Sequence, residues 1–321
     1  LRGYRVTVFE ALPKPGGMLR YGIPEYRLPK AILDAEIEAI LELGVELKTS
    51  TRLGKDIPWP RIVDEYDKVF LSVGAQKSTP LKLSGEELEG VEGAVEFLRN
   101  QQMSESSCEQ QRVVVIGGGN SAIDASRTAL RLGASSVRIL YRRLEEDMPA
   151  EDQEIEDARA EGVEIDVLVA PIGLEGKDGR VERVLCQRLE PGSFDKSGRK
   201  RPVPIDDQTF EVEADRVIVA IGQSVDLPFR KRNAGVLTSP WGQVTIVDGA
   251  KTKTTHSDVF AGGDAVTGPA TVVRAIAAGF QAAEEIDAEL RRQKGEPLFR
   301  ALAIDDIRLP DISTEELEER P

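Results

Sequence analysis

Val113-Val114-Val115-Ile116-Gly117-Gly118-Gly119-Asn120-Ser121-Ala122 is the stretch that decides how this chain of 321 residues folds. Four β-branched residues in a row predict a strand buried on both faces, as in a parallel sheet. The strand stops at a turn of the form G-x-G-x-x-A, and residues 121–132 then carry helical spacing. Gly117 permits the tight turn. Gly119 lets the backbone approach a pyrophosphate, and Ala122 allows the helix to pack closely on the strand. The helix N-terminus offers free N–H groups and the positive end of the helix dipole. A second strand follows at residues 136–141, at the right distance. Strand, loop, helix and strand together predict a dinucleotide site, which the glycines alone do not.

The second strand of this unit ends in Tyr141-Arg142-Arg143. An acidic residue at this point accepts from the ribose 2′-OH of NAD, whereas arginine suits a 2′-phosphate. The arginines therefore favour NADP; the competing reading is a solvated basic pair beside Glu145, Glu146 and Asp147. The opening strand, residues 5–10, is hydrophobic and ends in Glu10, as the ribose-binding end of another Rossmann unit does. Its phosphate loop then falls roughly 20 residues upstream, ahead of residue 1. Residues 1–4 read as the end of a helix with Gly3 as its C-cap. The expectation is thus of sequence preceding Leu1. A third element, Asp258-Val259-Phe260-Ala261-Gly262-Gly263-Asp264, delivers an acid onto a glycine turn ahead of a helix at about 271–292. In a flavin site such an Asp accepts from ribityl hydroxyls. The N–H groups of the following helix face the flavin edge that gains negative charge on reduction.

Working outward, glycine-punctuated strands alternate with amphipathic helices, which predicts an α/β fold with parallel sheets. Strands are expected at 45–48 and 67–73, and helices at 30–43, 95–102 and 151–161. Residues 13–29 and 84–93 read as loops, and 163–222 as mostly β with turns at 177–179 and 191–198. Val69–Ala75 and Val217–Gln223 repeat one another: each is a buried strand stopping at glycine, read as a return crossing between a nucleotide domain and its neighbour. The expected organisation is two Rossmann-like dinucleotide-binding domains, with the second inserted into a discontinuous first. Residues 1–100 form the first part of one domain, 101–224 the inserted domain and 225–292 the remainder, ahead of an acidic tail at 293–321 that reads as a linker or docking segment.

Composition narrows the function. An apolar fraction of 40% and a charged fraction of 31% are those of a globular protein with no membrane-spanning run. A net charge of −14 argues against nucleic acid or an anionic membrane as a partner. It leaves dinucleotides open, because local helix ends and glycine loops hold their phosphates. Cys108 and Cys186 match no metal or redox spacing, so a reducing, cytoplasmic setting is expected without thiol relay or metal. The single histidine, His256, sits in a turn and is not read as a catalytic base. Hydride transfer needs none of these groups, because the cofactors supply the reactivity and the protein aligns them.

Together these motifs resemble the glutamate synthase small-subunit group of NAD(P)H-dependent FAD oxidoreductases. That group includes the flavin subunits of NADH-dependent ferredoxin:NADP oxidoreductases and the corresponding part of dihydropyrimidine dehydrogenase. The resemblance runs from Arg5 to about Leu290. Its marks are Pro15-Gly16-Gly17-Met18-Leu19-Arg20-Tyr21-Gly22-Ile23-Pro24, Tyr26-Arg27-Leu28-Pro29, the loop at 117–124, Tyr141-Arg142-Arg143 with Met148-Pro149, and Ala261-Gly262-Gly263-Asp264. It implies a glutathione- and thioredoxin-reductase-like fold. It also implies FAD contacts at Glu10, Gly17, Leu19, Gly22 and Ile23, with Gly263, Asp264, Thr271 and Val272 at the ribityl chain and flavin edge. NADPH contacts are implied at Gly117, Gly119, Asn120, Ser121, Arg142 and Arg143, with Gly222 near the nicotinamide half. The group's first FAD strand, its phosphate loop and its iron–sulfur domain have no counterpart in these residues.

The expected activity is hydride transfer from NADPH to FAD, with electrons passed on to an iron–sulfur or flavin partner. Two alternatives stay open: an NADH-dependent or ferredoxin:NADP-type subunit, and a nucleotide-binding scaffold that has lost flavin.

Overall fold

The computed structural model describes residues 2–103, 107–195, 198–227 and 235–298. Most of the expected tail, residues 299–321, lies outside them. The chain builds two units. The first opens with β1 (Thr7–Phe9), α1 (Gly17–Tyr21), α2 (Lys30–Leu41), β2 (Glu46–Lys48), α3 (Trp59–Glu65) and β3 (Val69–Leu71). It then crosses to the second unit through β4 (Lys77–Ser78).

The second unit comprises β5 (Val91–Gly93), α4 (Ala94–Met103), β6 (Arg112–Ile116), α5 (Asn120–Arg131), β7 (Ser136–Tyr141), α6 (Asp152–Ala160) and β8 (Glu164–Val167). A three-stranded antiparallel arm follows: β9 (Val169–Lys177), β10 (Arg180–Phe194) and β11 (Lys200–Glu213). The chain regains the parallel sheet in β12 (Arg216–Val219) and leaves through β13 (Gln223–Ser224). The first unit is then completed by β14 (Val259–Ala261), α7 (Asp264–Thr267) and α8 (Val272–Lys294).

The second unit is a three-layer sandwich. Its five strands run in the order β5-β12-β6-β7-β8, with every pairing parallel. One face carries α4, α5 and α6, whose Phe97, Ile123, Ala129 and Ile155 close on Val113, Val115 and Ile139. The arm covers the other face, setting Val169, Val184 and Cys186 against Val114, Ile116 and Val217. Covering both faces is why β6 reads as an unbroken apolar run. Its valines are at most 1% exposed, and each such burial is worth about 1.5–3 kcal/mol.

The first unit is discontinuous in sequence and continuous in packing. Trp59, Leu71 and Ala75 share one core with Val225, Val244 and Val259. β3 and β14 pair in parallel, Val69 with Val259 through Leu71 with Ala261. β1 pairs in parallel with β2.

Several expectations shift. Residues 13–29 are not all loop, since α1 forms between Gly16 and Gly22. Residues 2–4 are not helical; the side chains of Arg2 and Tyr4 reach across to Asp287 on α8, at 2.9 and 2.8 Å. Residues 84–93 end in β5, the edge strand of the second sheet. That last point moves the first domain boundary. β5 pairs with β12, and Ala94, Phe97 and Leu98 lie in the second unit's core, so the crossing occurs at β4 and not at residue 100.

Candidate functional site

The G-x-G-x-x-A turn has the geometry its sequence requires. Gly117 lies at φ 143°, and a methyl group there would meet the Ala220 carbonyl oxygen at 2.2 Å. At Gly118 the same group would fall on the Tyr141 ring, 2.5 Å away. Gly119 is different: its only neighbour on that side is Pro149 Cγ at 3.7 Å. Gly119 is the N-cap of α5, and no side chain caps the helix. The loop is therefore held from below by Ala220 and Tyr141 and left open above Gly119, which suits a bound phosphate. Asn120 Oδ1 accepts from Glu151 N at 3.2 Å, and Ser121 Oγ is 3.2 Å from Gln223 Nε2. Ala122 is fully buried against the sheet.

Gly222 stands at the mouth of this loop at φ 133°. Its carbonyl accepts from Thr79 N at 2.9 Å. The two crossings form a ribbon there: β4 and β13 pair antiparallel, Ser78 with Gln223 and Lys77 with Ser224. Ser78 anchors the ribbon to α4, with its Oγ accepting from Val95 N at 3.1 Å.

At the other end of the ribbon lies the first unit's turn cluster. Methyl groups at Gly74 and Gly17 would both contact the Gln76 side-chain amide, at 3.3 and 3.9 Å. Gly262 N donates to Leu71 O, so the turn after β14 sits beside the end of β3. Gly263 follows at φ 62°, and Asp264 Oδ1 accepts from Ala270 N at 3.1 Å, tying the acid to the lead-in of α8. Thr271 caps α8 by accepting from Arg274 N, and Val272 begins the helix partly exposed. Burial raises the Asp264 carboxyl above the usual range, against the pull of Ala270 N.

The Pro-Gly-Gly stretch is held by residues that sequence reasoning had not assigned. Lys30 Nζ donates to the carbonyls of Leu19, Ile23 and Leu28, at 3.1, 2.7 and 3.0 Å. Burial lowers its ammonium below the ordinary lysine value. Gly22 packs against Met18, whose side chain would have to swing aside for a methyl group there, 1.9 Å from Sδ. Glu10 ends β1 half-buried. Its Oε1 accepts from Leu12 N at 2.8 Å, and burial raises its carboxyl against that bond. Its backbone pairs with β2's end through Lys48 O.

A second unassigned group joins the units. Arg27 Nη1 donates to both carboxylate oxygens of Asp124, at 2.9 Å each, and Arg27 Nε lies 3.1 Å from Glu154. The Tyr26 ring stacks under Arg127 and Arg131, 4.9 and 4.2 Å from its centroid. Asp124 is buried on α5, and burial pushes its carboxyl up to about 6 despite Arg27. The sequence did carry a signal, because Asp124 interrupts the apolar face Ala122, Ile123, Ala125.

Arg143 is nine-tenths buried, donating to Asp195 Oδ2 at 2.8 Å and to Lys200 O at 2.6 Å. Arg142 is exposed at the same strand end. His256 lies in a turn, where its Nδ1 accepts from Asp258 N. Among the described residues no cluster of metal-ligating side chains occurs.

Residues 2–279 match the family described as pyridine nucleotide-disulphide oxidoreductase. The chain is 44% identical over 300 residues to the NADP(+)-dependent formate dehydrogenase subunit beta of Moorella thermoacetica, covering 92% of this chain and 42% of that one. It is 37% identical over 297 residues to the glutamate synthase [NADPH] small chain of Halomonas elongata, covering 88% of this chain and 62% of that one. The chain thus spans less than two thirds of either relative. Among solved structures, it is similar to Mycobacterium tuberculosis FprA in complex with NADPH. The TM-score is 0.74 at 21% identity, over 91% of this chain and 79% of that one.

Proposed function

The chain belongs to the pyridine nucleotide-disulphide oxidoreductase family, and from that premise we propose that it binds NADPH at the second unit and FAD at the first and carries hydride between them. FAD, when bound, supplies the two-electron to one-electron conversion that side chains cannot. What this chain's own residues contribute is alignment and an electrostatic cradle. The open side of Gly119, the uncapped start of α5, and Asn120 and Ser121 would take the pyrophosphate of NADPH, with Gly222 beside the nicotinamide half. Gly17, Leu19, Gly22 and Ile23, clamped by Lys30, would lie along FAD. Glu10 would accept from its ribose. Asp264 would accept from its ribityl hydroxyls, and Gly263, Thr271 and Val272 would line the flavin edge.

The observation that carries this reading is the β4·β13 ribbon. It links Gln76, whose side-chain amide lies beside the Gly17 and Gly74 turns, to Thr79 and Gly222, next to Gln223, which bonds Ser121 of the Gly117 loop. Two dinucleotide turns joined by one short ribbon suit the exchange of hydride between two bound rings. Electrons would then pass to a partner subunit, a reading that the relatives' names as a subunit and a small chain support, and we propose an iron–sulfur or flavin group as the acceptor there. Cys108 and Cys186 are buried and unpaired, which supports a reducing compartment, and among the described residues no helix is long and apolar enough to cross a membrane.

The test is an absorbance spectrum of the purified protein, followed by anaerobic addition of NADPH or NADH. A flavin spectrum that NADPH bleaches faster than NADH is expected. A colourless protein that takes up neither FAD nor NADPH overturns the proposal.

A further inference from the structure

Resting on the NADPH and FAD reading above, we propose that Arg27 is a positioning residue for hydride transfer. Its ion pair with Asp124 fixes the stretch assigned to FAD against the helix assigned to NADPH, and so sets how one ring meets the other. On the first unit's side Arg27 belongs to a rigid piece. It sits in the turn after Ile23, where the Pro24 carbonyl accepts from Arg27 N and Leu28 N, both at 3.1 Å. The Glu25 carboxylate accepts from Lys30 N, at 3.1 and 3.2 Å, and Lys30 Nζ holds the carbonyls of Leu19, Ile23 and Leu28. The turn therefore moves with residues 17–23. At the start of that stretch, α1 packs on α4. Just past its end, Arg27 reaches α5. The stretch is thus held to the second unit at both ends.

On the second unit's side Asp124 lies about one helical turn beyond Asn120. Ala122, Ile123 and Ala125 beside it are fully buried, so its carboxylate moves with the start of α5. Both oxygens of that carboxylate accept from Arg27 Nη1. Glu154 on α6 steadies the pair, with one oxygen 3.1 Å from Arg27 Nε and the other 2.7 Å from Arg127 Nη1. Tyr26, stacked under Arg127 and Arg131, holds the same two surfaces together without fixing a direction. A buried ion pair is a poor source of stability, because desolvation offsets its attraction; what it can fix is register. Register matters here because the ribbon between the units is two residue pairs long. So short a connection acts as a hinge unless a second contact stops it.

The test uses the full chain with FAD bound. Arg27→Met combined with Asp124→Leu leaves neither charge of the pair buried alone, so the melting temperature is expected to stay near the wild-type value. Spin labels at Glu38→Cys on α2 and Glu156→Cys on α6, both exposed, report the distance between the units, since the native cysteines are buried. A single narrow distribution is expected without the paired substitution and a broader one with it. Flavin reduction at saturating NADPH should then slow about tenfold or more, because small misplacements of reacting atoms cost that much. NADP+ affinity, read by calorimetry, is expected to hold. Arg27→Lys, which keeps the charge, should recover part of the rate. A saturating rate that stays at the wild-type value overturns the inference, whatever the distances. So does a slower rate with the distribution unchanged, or one that falls in step with NADP+ affinity and melting temperature, which marks a structural contact. In each of those cases the nucleotide sites stand. If the wild type takes up neither FAD nor NADP+, the reading of the sites fails and takes the inference with it.

Discussion

Gly117 and Gly119 differ by two positions and by the kind of demand placed on them. At Gly117 both the backbone angle and the Ala220 carbonyl exclude a side chain. A residue forced into such a conformation costs about 1–3 kcal/mol before any clash. Gly117→Ala is therefore expected to lower the melting temperature and nucleotide affinity together. At Gly119 the backbone is ordinary extended and the space is open to Pro149. Gly119→Ala should leave thermal stability within about 0.5 kcal/mol and still weaken NADPH binding tenfold or more, because the methyl group occupies the phosphate's approach. Equal loss of stability in both variants would show that Gly119 serves packing alone. This distinction was legible in the motif, where each glycine already had its own reason. The fate of Arg143 was not. Its partner Asp195 lies 52 positions away, in a turn whose polar composition has no periodicity to read.

At the scale of elements, the contact between the loop before α2 and the side of α5 decides how the two units face one another. Arg27, Asp124, Glu154 and Arg127 form one network, and removing one partner of a buried pair costs about 3–5 kcal/mol. Burial holds the Asp124 carboxyl at about 6, above its unfolded value. The native state therefore binds more protons than the unfolded chain between about pH 4 and 6, and this group's contribution to stability falls as pH rises through that window. Comparison with Asp124→Asn isolates it, since the other carboxylates cancel. The melting temperature of the wild type minus that of the variant should shift in the wild type's favour as pH drops from about 7 to 4.5. A difference that stays flat across that range contradicts the assigned burial. Helix spacing made α2, α5 and α8 legible. It did not show which residues pack, as Ile32 and Ile40 of α2 remain exposed. α1 and β5 were missed for a simpler reason. Each is five residues or fewer and flanked by glycine, too short for any period to register.

The whole molecule divides sharply in how well its sheets are covered. The second unit has helices on one face and the arm on the other, so its central strands are sealed. In the first unit, among the described residues, β1 pairs only with β2 and β3 only with β14. Val6 just before β1, Val8 on it, and Val273, Ile276 and Phe280 on α8 stay exposed. Open strand edges and grouped apolar side chains are surfaces that proteins ordinarily cover. The insertion of one nucleotide unit into another was visible from the two strands that stop at Gly74 and Gly222. That the segments just beyond them would pair as β4 and β13 was not, because the ribbon is two residues long on each side. On this ribbon rests the central claim, that one unit's nicotinamide meets the other's flavin directly. The measurement that tests it most directly is the anaerobic rate of flavin bleaching with NADPH deuterated on one or the other face of nicotinamide C4. Direct transfer between aligned rings requires a slower rate with deuterium on one face only. Equal slowing by deuterium on either face, with bleaching still complete, would contradict direct transfer between two aligned rings.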